Sequence, residues 1–395
     1  MHKSPRVVDF STHLSGPVAS RRLVQMGADV IKVEHPVHGD GNRQFPPMFH
    51  EDGIHHLSLN PGTRSLAIER RSPLWPRVVA AAARWADVVI VGNHPQQAQR
   101  MGLDVASVLA INDQLVYCAI TGYGVAGEWA FLPAHGLNMD ALAGSLALEW
   151  ADGKPEIPER YRSVGTTMAG VEAVAGIYAA LLRRSQGGGG QIVHVSIWEA
   201  ALAAQWRDQA TFANLQEAWP NYRDLGSRYA VYGTKDGQAI LVCPIERRFW
   251  ESFCKVLELP DEVRGRGDWS SGVDMGGAYA ALGERELIGA HMARRDRDEW
   301  IALLSAAQVP VAPVLDWREA MYSPHAAANG TLATYSQHGD EVRVPVPPTS
   351  ITSASAIKAG LTLGEAHRRK AENFQRAPDL GEHSEEILRE WGVEP

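Results

Sequence analysis

Cysteine is scarce. The 395 residues hold three, Cys118, Cys243 and Cys254, with no CxxC pair. An odd, scattered set of thiols excludes a disulfide framework and a thiolate zinc centre as organising features. Long apolar runs are missing as well. The most apolar stretch, residues 173–182, is interrupted by Gly176 and followed by Arg183-Arg184, short of the roughly 18 residues a membrane span requires. The opening MHKSPRVVDFS turns strand-like by Arg6 without a signal-peptide core. A basic excess is also absent: 38 Lys and Arg face 46 Asp and Glu, a formal net charge of −8. That balance argues against a broad nucleic-acid-binding face. Neither tandem repeats nor low-complexity tracts are evident. The expectation is a cytoplasmic protein that engages neither nucleic acid nor membrane.

What is present reads as ordinary globular sequence, 45% hydrophobic and 21% charged, long enough for two or three domains at roughly 150 residues each. Strand-like runs fall at residues 6–10, 29–34, 65–68, 87–91 and 115–121, with helical spacing over 16–26 and 75–85 between them. Gly27 suits the position after a helix C-terminus. Strand–helix–strand units of this length predict a parallel sheet covered on both faces. Further on, 141–148, 169–184 and 196–215 read as helices, the last as one long helix, with a strand at 191–195. From about Asn221 the texture becomes mixed α+β. A hairpin is expected around Lys235-Asp236-Gly237 between strands 229–232 and 240–243, then helices at 250–257 and 300–307 and a strand at 341–346.

Three features invite a chemical reading. The run SQGGGGQ at 185–191 follows a helix and precedes a strand, the reverse of a dinucleotide-binding fingerprint; a mobile loop near a site, a phosphate cradle and a plain flexible loop all stay open for it. His13, His35, His38, His50, His55 and His56 crowd the first sixty residues, but they fall in apparent loops without zinc spacing, so surface or cleft histidines are expected. Finally, His35, Arg43, Arg71 and Asn93-His94 each follow a strand end. In a doubly wound sheet the carboxyl ends of the strands share one crevice, where cations suit phosphates.

These residues carry a resemblance. The opening RVVDFSTHLSGPVASRRLVQMGADVIKVEHPVHGDGNR resembles that of the family III CoA-transferases, which include α-methylacyl-CoA racemases. LNPGTRSLAIE, ADVVIVGN, QRMGLD, INDQLVYCAITGYG, GGGGQIVHVSIWEAAL, VYGTKDGQAILV, FWESFCKVL, QVPVAPVLDWREA and DLGEHSEEIL follow in order, spanning nearly the whole chain. The resemblance implies a doubly wound α/β large domain made of residues 1–215 and 331–395, a smaller α+β domain at 216–330, and an interlocked homodimer. It implies acyl-CoA and a small carboxylic acid as reactants, with no tightly bound cofactor or metal. By position it places His35, Ile68, Arg71, Asn93, His94 and Arg100 along coenzyme A.

The catalytic position departs from the family. Its transferases use one aspartate, which forms an acyl anhydride and then an aspartyl-CoA thioester; the matching residue here is Thr166 in SVGTTMAG. A hydroxyl cannot supply the carboxylate oxygen of a mixed anhydride, and it is a weak nucleophile without a base. Glu172 lies six residues further on. Asp140 is expected to cap a helix or pair with Arg160 or Arg162. The resemblance to the racemases retains His135 in PAHGLNMDALAG, followed by Gly136 where they carry an acid, and Glu246 in CPIERRF. Three readings follow: CoA transfer through a displaced carboxylate, one-base α-proton chemistry (isomerase, lyase or dehydratase) by His135 with Glu246, and a CoA-binding subunit that partners an aspartate-bearing paralogue.

Overall fold

The structure is a computed structural model and describes residues 4–216, 225–280, 282–372 and 374–393. The chain divides into two compact units, Met1–Gln209 with Pro324–Pro395, and Ala210–Ser323. The texture change expected near Asn221 lies outside the described residues.

The first unit begins β1 (Arg6–Asp9), α1 (Ser15–Gln25), β2 (Asp29–Glu34), β3 (Met48–Phe49), β4 (Asp52–Gly53), α2 (Ile54–Leu59) and β5 (Arg64–Ala67). It continues α3 (Trp75–Trp85), β6 (Val88–Val91), α4 (Pro95–Arg100), α5 (Val105–Ile111) and β7 (Val116–Thr121). Then come α6 (Gly136–Leu142), the hairpin β8 (Glu149–Ala151) and β9 (Lys154–Glu156), α7 (Gly165–Arg183), β10 (Gln191–Ser196) and α8 (Ile197–Ala203); α9 (Trp206–Leu215) starts in this unit and ends in the second.

Six strands form one parallel sheet in the order β10-β7-β6-β1-β2-β5. Both faces are covered, so the strands read as nearly continuous apolar runs rather than alternating ones; VVIV of β6 is buried throughout. One face packs Val8, Ile31, Leu66 and Val89 against Trp75, Val78 and Ala82 of α3. The other packs Val7, Val30, Ile90 and Cys118 against Ala19 and Leu23 of α1 and Ala169, Ala173 and Ile177 of α7. The stretch Gly165–Gly188 is long and apolar enough to cross a membrane by composition, but these contacts make α7 a core helix. Gly170 permits the α1–α7 approach: a Cβ there would lie 2.6 Å from the Ser15 carbonyl oxygen and 2.6 Å from Val18 Cγ1.

The C-terminal segment adds the hairpin β14 (Leu332–Gln337) and β15 (Asp340–Pro345). The Tyr335 hydroxyl donates to the Leu57 carbonyl at 2.7 Å, fastening this hairpin to α2. A last helix, Ser384–Glu390, adds Ile387 to the core beneath α3. In the second unit, β11 (Ala230–Gly233), β12 (Ala239–Val242) and β13 (Val311–Pro313) form an antiparallel sheet. Trp250, Phe253 and Leu257 of α10 (Arg247–Leu257) pack in its core.

Two helix expectations are corrected. Residues 196–215 are two helices, broken at Ala204-Gln205, where the Gln205 amide turns back to the carbonyls of Ala201 and Ala143 (3.3 and 3.2 Å). The apolar run at 141–148 is helical only to Leu142; α6 starts earlier, at Gly136, and the chain turns away at Gly144 with φ +72°.

Candidate functional site

From β1 the chain steps one way through β2 to β5 and the other way through β6 and β7 to β10. The direction of winding therefore reverses between β1 and β6, and at such a point the loops beyond the carboxyl ends diverge into a crevice. Here the β1 and β6 loops touch at their base. A Cβ on Gly92 would lie 2.8 Å from Ser11 Cβ, so only glycine lets them approach.

A buried ionic network supports the crevice on the β1–β2 side. Lys32 sits on β2 with its ammonium 3.2 Å from Asp9 and 3.0 Å from Asp40, and donates to the Ser11 carbonyl at 2.6 Å. Burial alone would depress its pKa; Asp9, Asp40 and Glu34 outweigh that and hold it above the usual lysine value. Asp9 also accepts from the Ser11 N–H and the Ser20 hydroxyl, both at 2.8 Å. Asp40 accepts from the backbone N–H of His13 at 3.0 Å, which ties the β1 and β2 loops together. Burial would raise the Glu34 carboxyl, but the bidentate Arg43 pair (2.7 and 2.9 Å) and the Ser65 hydroxyl bring it down to about 2.

The residues expected along coenzyme A fall in the segments that follow β2, β5 and β6. His35 follows β2; its Nε2 lies 3.3 Å from Glu69, and its Nδ1 accepts from the backbone of Val37 and His38. Arg71, after β5, is exposed. Asn93 and His94 follow β6; the Asn93 Oδ1 is buried without a partner among the described residues. The His94 ring caps α4 and reaches the Phe131 carbonyl at 2.8 Å. Arg100 is exposed at the last position of α4. Ile68 belongs to the buried core with Phe10 and Trp75 and is only 7% exposed, so it presents little wall to a ligand.

The other end of the rim is the first turn of α7. Because α7 leads into β10, it runs antiparallel to the strands and its N-terminus opens at the carboxyl edge of the sheet. Thr166 occupies that turn and is 6% exposed. It faces α6: a Cβ on Gly136 would lie 2.8 Å from Thr166 Cγ2 and 4.0 Å from its Oγ1. His135, at the N-cap of α6, is exposed, with its backbone N–H on the Asn138 side chain at 2.8 Å. The structure thus brings Thr166 and the His135–Gly136 step together. Glu246 is the N-cap of α10 and belongs to the second unit. Glu172 is exposed on α7.

Asp140 is fully buried on α6 and spans to α7. Its Oδ1 accepts from the Gly165 N–H at 3.0 Å and its Oδ2 from the Tyr161 hydroxyl at 2.9 Å. It satisfies a backbone donor that the helix leaves unpaired and opposes the partial positive charge there. Burial and this carboxylate together raise the Tyr161 phenol pKa. The cap is therefore real, and its side-chain partner is Tyr161 rather than Arg160 or Arg162. Next to it, the Ser163 hydroxyl is hidden without a partner among the described residues.

Two further expectations are corrected. Arg43 is not a crevice cation. Its guanidinium is committed to Glu34 and to the Pro378 carbonyl at 3.2 Å, an internal tie between the β2 loop and the C-terminal segment. The glycine run at 187–190 lies at the amino edge of the sheet, where the Gly190 N–H donates to the Asp113 carbonyl before β7. A Cβ on Gly190 would lie within 2.2 Å of that oxygen, so close packing explains this glycine. Of the six histidines named from the sequence, His56 is buried rather than at a surface or cleft, and burial and then Arg43 push it down to about 4. Asp52, His338 and Asp379 place ligand atoms within 4.8 Å of one another. Arg43 and Arg376 already stand 3.7 and 3.5 Å from the two carboxylates, which accounts for the cluster as ion pairing.

A parallel sheet wound in this order, with polar groups along its carboxyl rim, is shared by many nucleotide and coenzyme proteins; the sequence match decides among them. CoA-transferase family III matches residues 4–383. The chain belongs to that family. Similar proteins include a succinate–glutarate CoA-transferase of Agrobacterium fabrum, 26% identical over 98% of this chain and 94% of its own. A succinyl-CoA:glutarate CoA-transferase of Mus musculus is 24% identical over 98% and 85%. An Escherichia coli formyl-CoA:oxalate CoA-transferase is 26% identical over 98% and 94%. Among solved structures, Rv3272 of Mycobacterium tuberculosis superposes with a TM-score of 0.78 at 22% identity, covering 97% of both chains. A CaiB/BaiF family protein of Brucella suis gives 0.77 at 23% identity, covering 98% of both. These likenesses agree with the α/β fold expected from the sequence.

Proposed function

We propose that this protein binds an acyl-CoA along the carboxyl rim of the large sheet and takes part in CoA transfer between that thioester and a small carboxylic acid. The nucleotide end lies along His35, Arg71, Asn93, His94 and Arg100, and the thioester lies at the first turn of α7. The convergence of Thr166 and the His135–Gly136 step at that turn carries the reading. Exposed guanidinium groups suit phosphates, while the polar crevice orients the acyl end.

Transfer through an anhydride needs a carboxylate at that turn. Thr166 has none, and both oxygens of Asp140 are engaged, so Asp140 attacks only by giving up the α7 cap. We therefore propose that transfer depends on a carboxylate from a related, aspartate-bearing chain in an interlocked dimer. Trp129, Phe131, Leu132, Leu137 and Trp150, all 40% exposed or more, fit such a covered surface. A second reading rests on His135, whose ring faces solvent at the same turn: as a lone base it removes the α-proton that the thioester acidifies.

The test is calorimetric titration of CoA into wild type and Arg71→Ala, followed by transfer and α-proton exchange assays on Thr166→Asp. The proposal expects weaker binding in the first variant and gained transfer in the second. Unchanged affinity in Arg71→Ala removes the phosphate contact. Exchange by the wild type that His135→Ala abolishes favours the one-base reading.

A further inference from the structure

The amino edge of the large sheet, opposite the rim, carries a cavity of about 660 Å³ between the end of α1, the start of β2 and residues 349–375. That volume lies within the roughly 300–1,000 Å³ typical of small-molecule sites. Its inner wall includes Arg21 of α1, only 4% exposed. The guanidinium lies 4.3 Å from the Phe374 ring centroid and donates once, to the Pro345 carbonyl at 3.3 Å. Burial pushes it down to about 10, with the Tyr335 phenol acting the other way. Buried charges in proteins are ordinarily paired. Yet among the described residues no carboxylate lies within ion-pair distance of Arg21, nor of Arg369 or Lys370 on the same wall. Lys370 is held in place by a hydrogen-bonded chain: its Nζ is 2.7 Å from His367 Nε2, and His367 Nδ1 is 3.0 Å from the Ser350 hydroxyl, also a cavity residue. An ammonium donating to Nε2 requires the proton on Nδ1, so the imidazole donates onward to Ser350. Three cations thus face one cavity whose lining includes a single carboxylate, Glu372.

We propose that this cavity is an oxyanion site for a small phosphorylated or carboxylated molecule, anchored by Arg21 and closed at its mouth by Arg369 and Lys370. Arg21 has two jobs there. Its stem and one N–H fasten the C-terminal return segment to α1, and its remaining N–H groups are left for the ligand in a planar fork suited to phosphate or carboxylate. The proposal is independent of what happens at the carboxyl rim.

Calorimetric titrations with inorganic pyrophosphate and with succinate test it, on wild type, Arg21→Met, the double variant Arg369→Ala/Lys370→Ala, and, as a surface-charge control, Arg247→Ala on α10. At least one probe should bind the wild type, and its Kd should rise about tenfold or more in the first two variants, since charge-assisted bonds are lost, while staying unchanged in Arg247→Ala. Which probe binds separates a phosphate ligand from a carboxylate one. Binding by neither probe overturns the proposal, as does binding that the cavity variants leave intact. If Arg21→Met does not fold, the double variant, whose residues lie nearer the surface, carries the same test.

Discussion

Replacing Asp140 by alanine separates a structural carboxylate from a reacting one. The substitution removes the acceptor for two hydrogen bonds, from the Gly165 N–H at 3.0 Å and from the Tyr161 hydroxyl at 2.9 Å. Gly165 is buried, so its N–H loses its acceptor away from bulk solvent. A bond to a charged group contributes about 1.5–3 kcal/mol, and a deserted buried donor costs about as much. The two bonds share one carboxylate and are not additive, so the expected loss is about 3 kcal/mol. Asp140→Asn keeps one acceptor and gives up the charge facing the helix end, for about 1–2 kcal/mol. Tyr161→Phe removes one partner only, for about 1 kcal/mol. Urea unfolding followed by tryptophan fluorescence reads these as shifts in midpoint at constant slope. A loss below about 1 kcal/mol in Asp140→Ala would refute the cap and return Asp140 to the list of free carboxylates.

Other expectations follow from the same interior. Glu34 is depressed to about 2 by Arg43, so its contribution is present above the unfolded carboxyl value and is lost as pH falls from about 4.5 towards 2; Glu34→Gln should flatten stability in that window. His56, depressed to about 4, stays neutral while the unfolded chain takes up a proton, so stability falls between about pH 6.5 and 4, and His56→Leu should remove that slope in pH-dependent denaturation. Arg43→Met leaves Glu34 buried without its partner and should destabilise by about 3–5 kcal/mol; a stable variant with impaired CoA affinity would instead make Arg43 a ligand contact. Gly170→Ala gains about 1 kcal/mol of helix propensity but forces α1 and α7 apart, at about 1–3 kcal/mol. A net loss in thermal unfolding is expected, and a stabilised variant would contradict the close approach.

Most of the sheet was legible from sequence because its strands are short β-branched runs bounded by turns: Asp29–Glu34 appears where the pattern put it, and Trp75–Trp85 likewise. The break between α8 and α9 was not legible, since Ala204-Gln205 carries neither glycine nor proline and depends on where the Gln205 amide folds back. The start of α6 was missed for a similar reason: its cap is a histidine backbone held by Asn138 rather than a Ser, Thr or Asp side chain. Lys32, in the middle of DVIKVE, went unread as a sign of the buried network, although a lysine at a covered strand position must find acids. Arg43 was misread because its partner Glu34 and the Pro378 carbonyl meet only in three dimensions. Thr166 came from the resemblance alone, and its neighbour Gly136 emerged only with the fold.

The central claim, that an acyl-CoA occupies the carboxyl rim, is tested most directly by hydrogen–deuterium exchange of the protein with and without CoA. The account predicts slower exchange in the segments following β2, β5 and β6 and at the first turns of α6 and α7, with the loop at residues 184–190 on the opposite edge unchanged. Protection confined to that opposite edge, or no protection at saturating CoA, would contradict it.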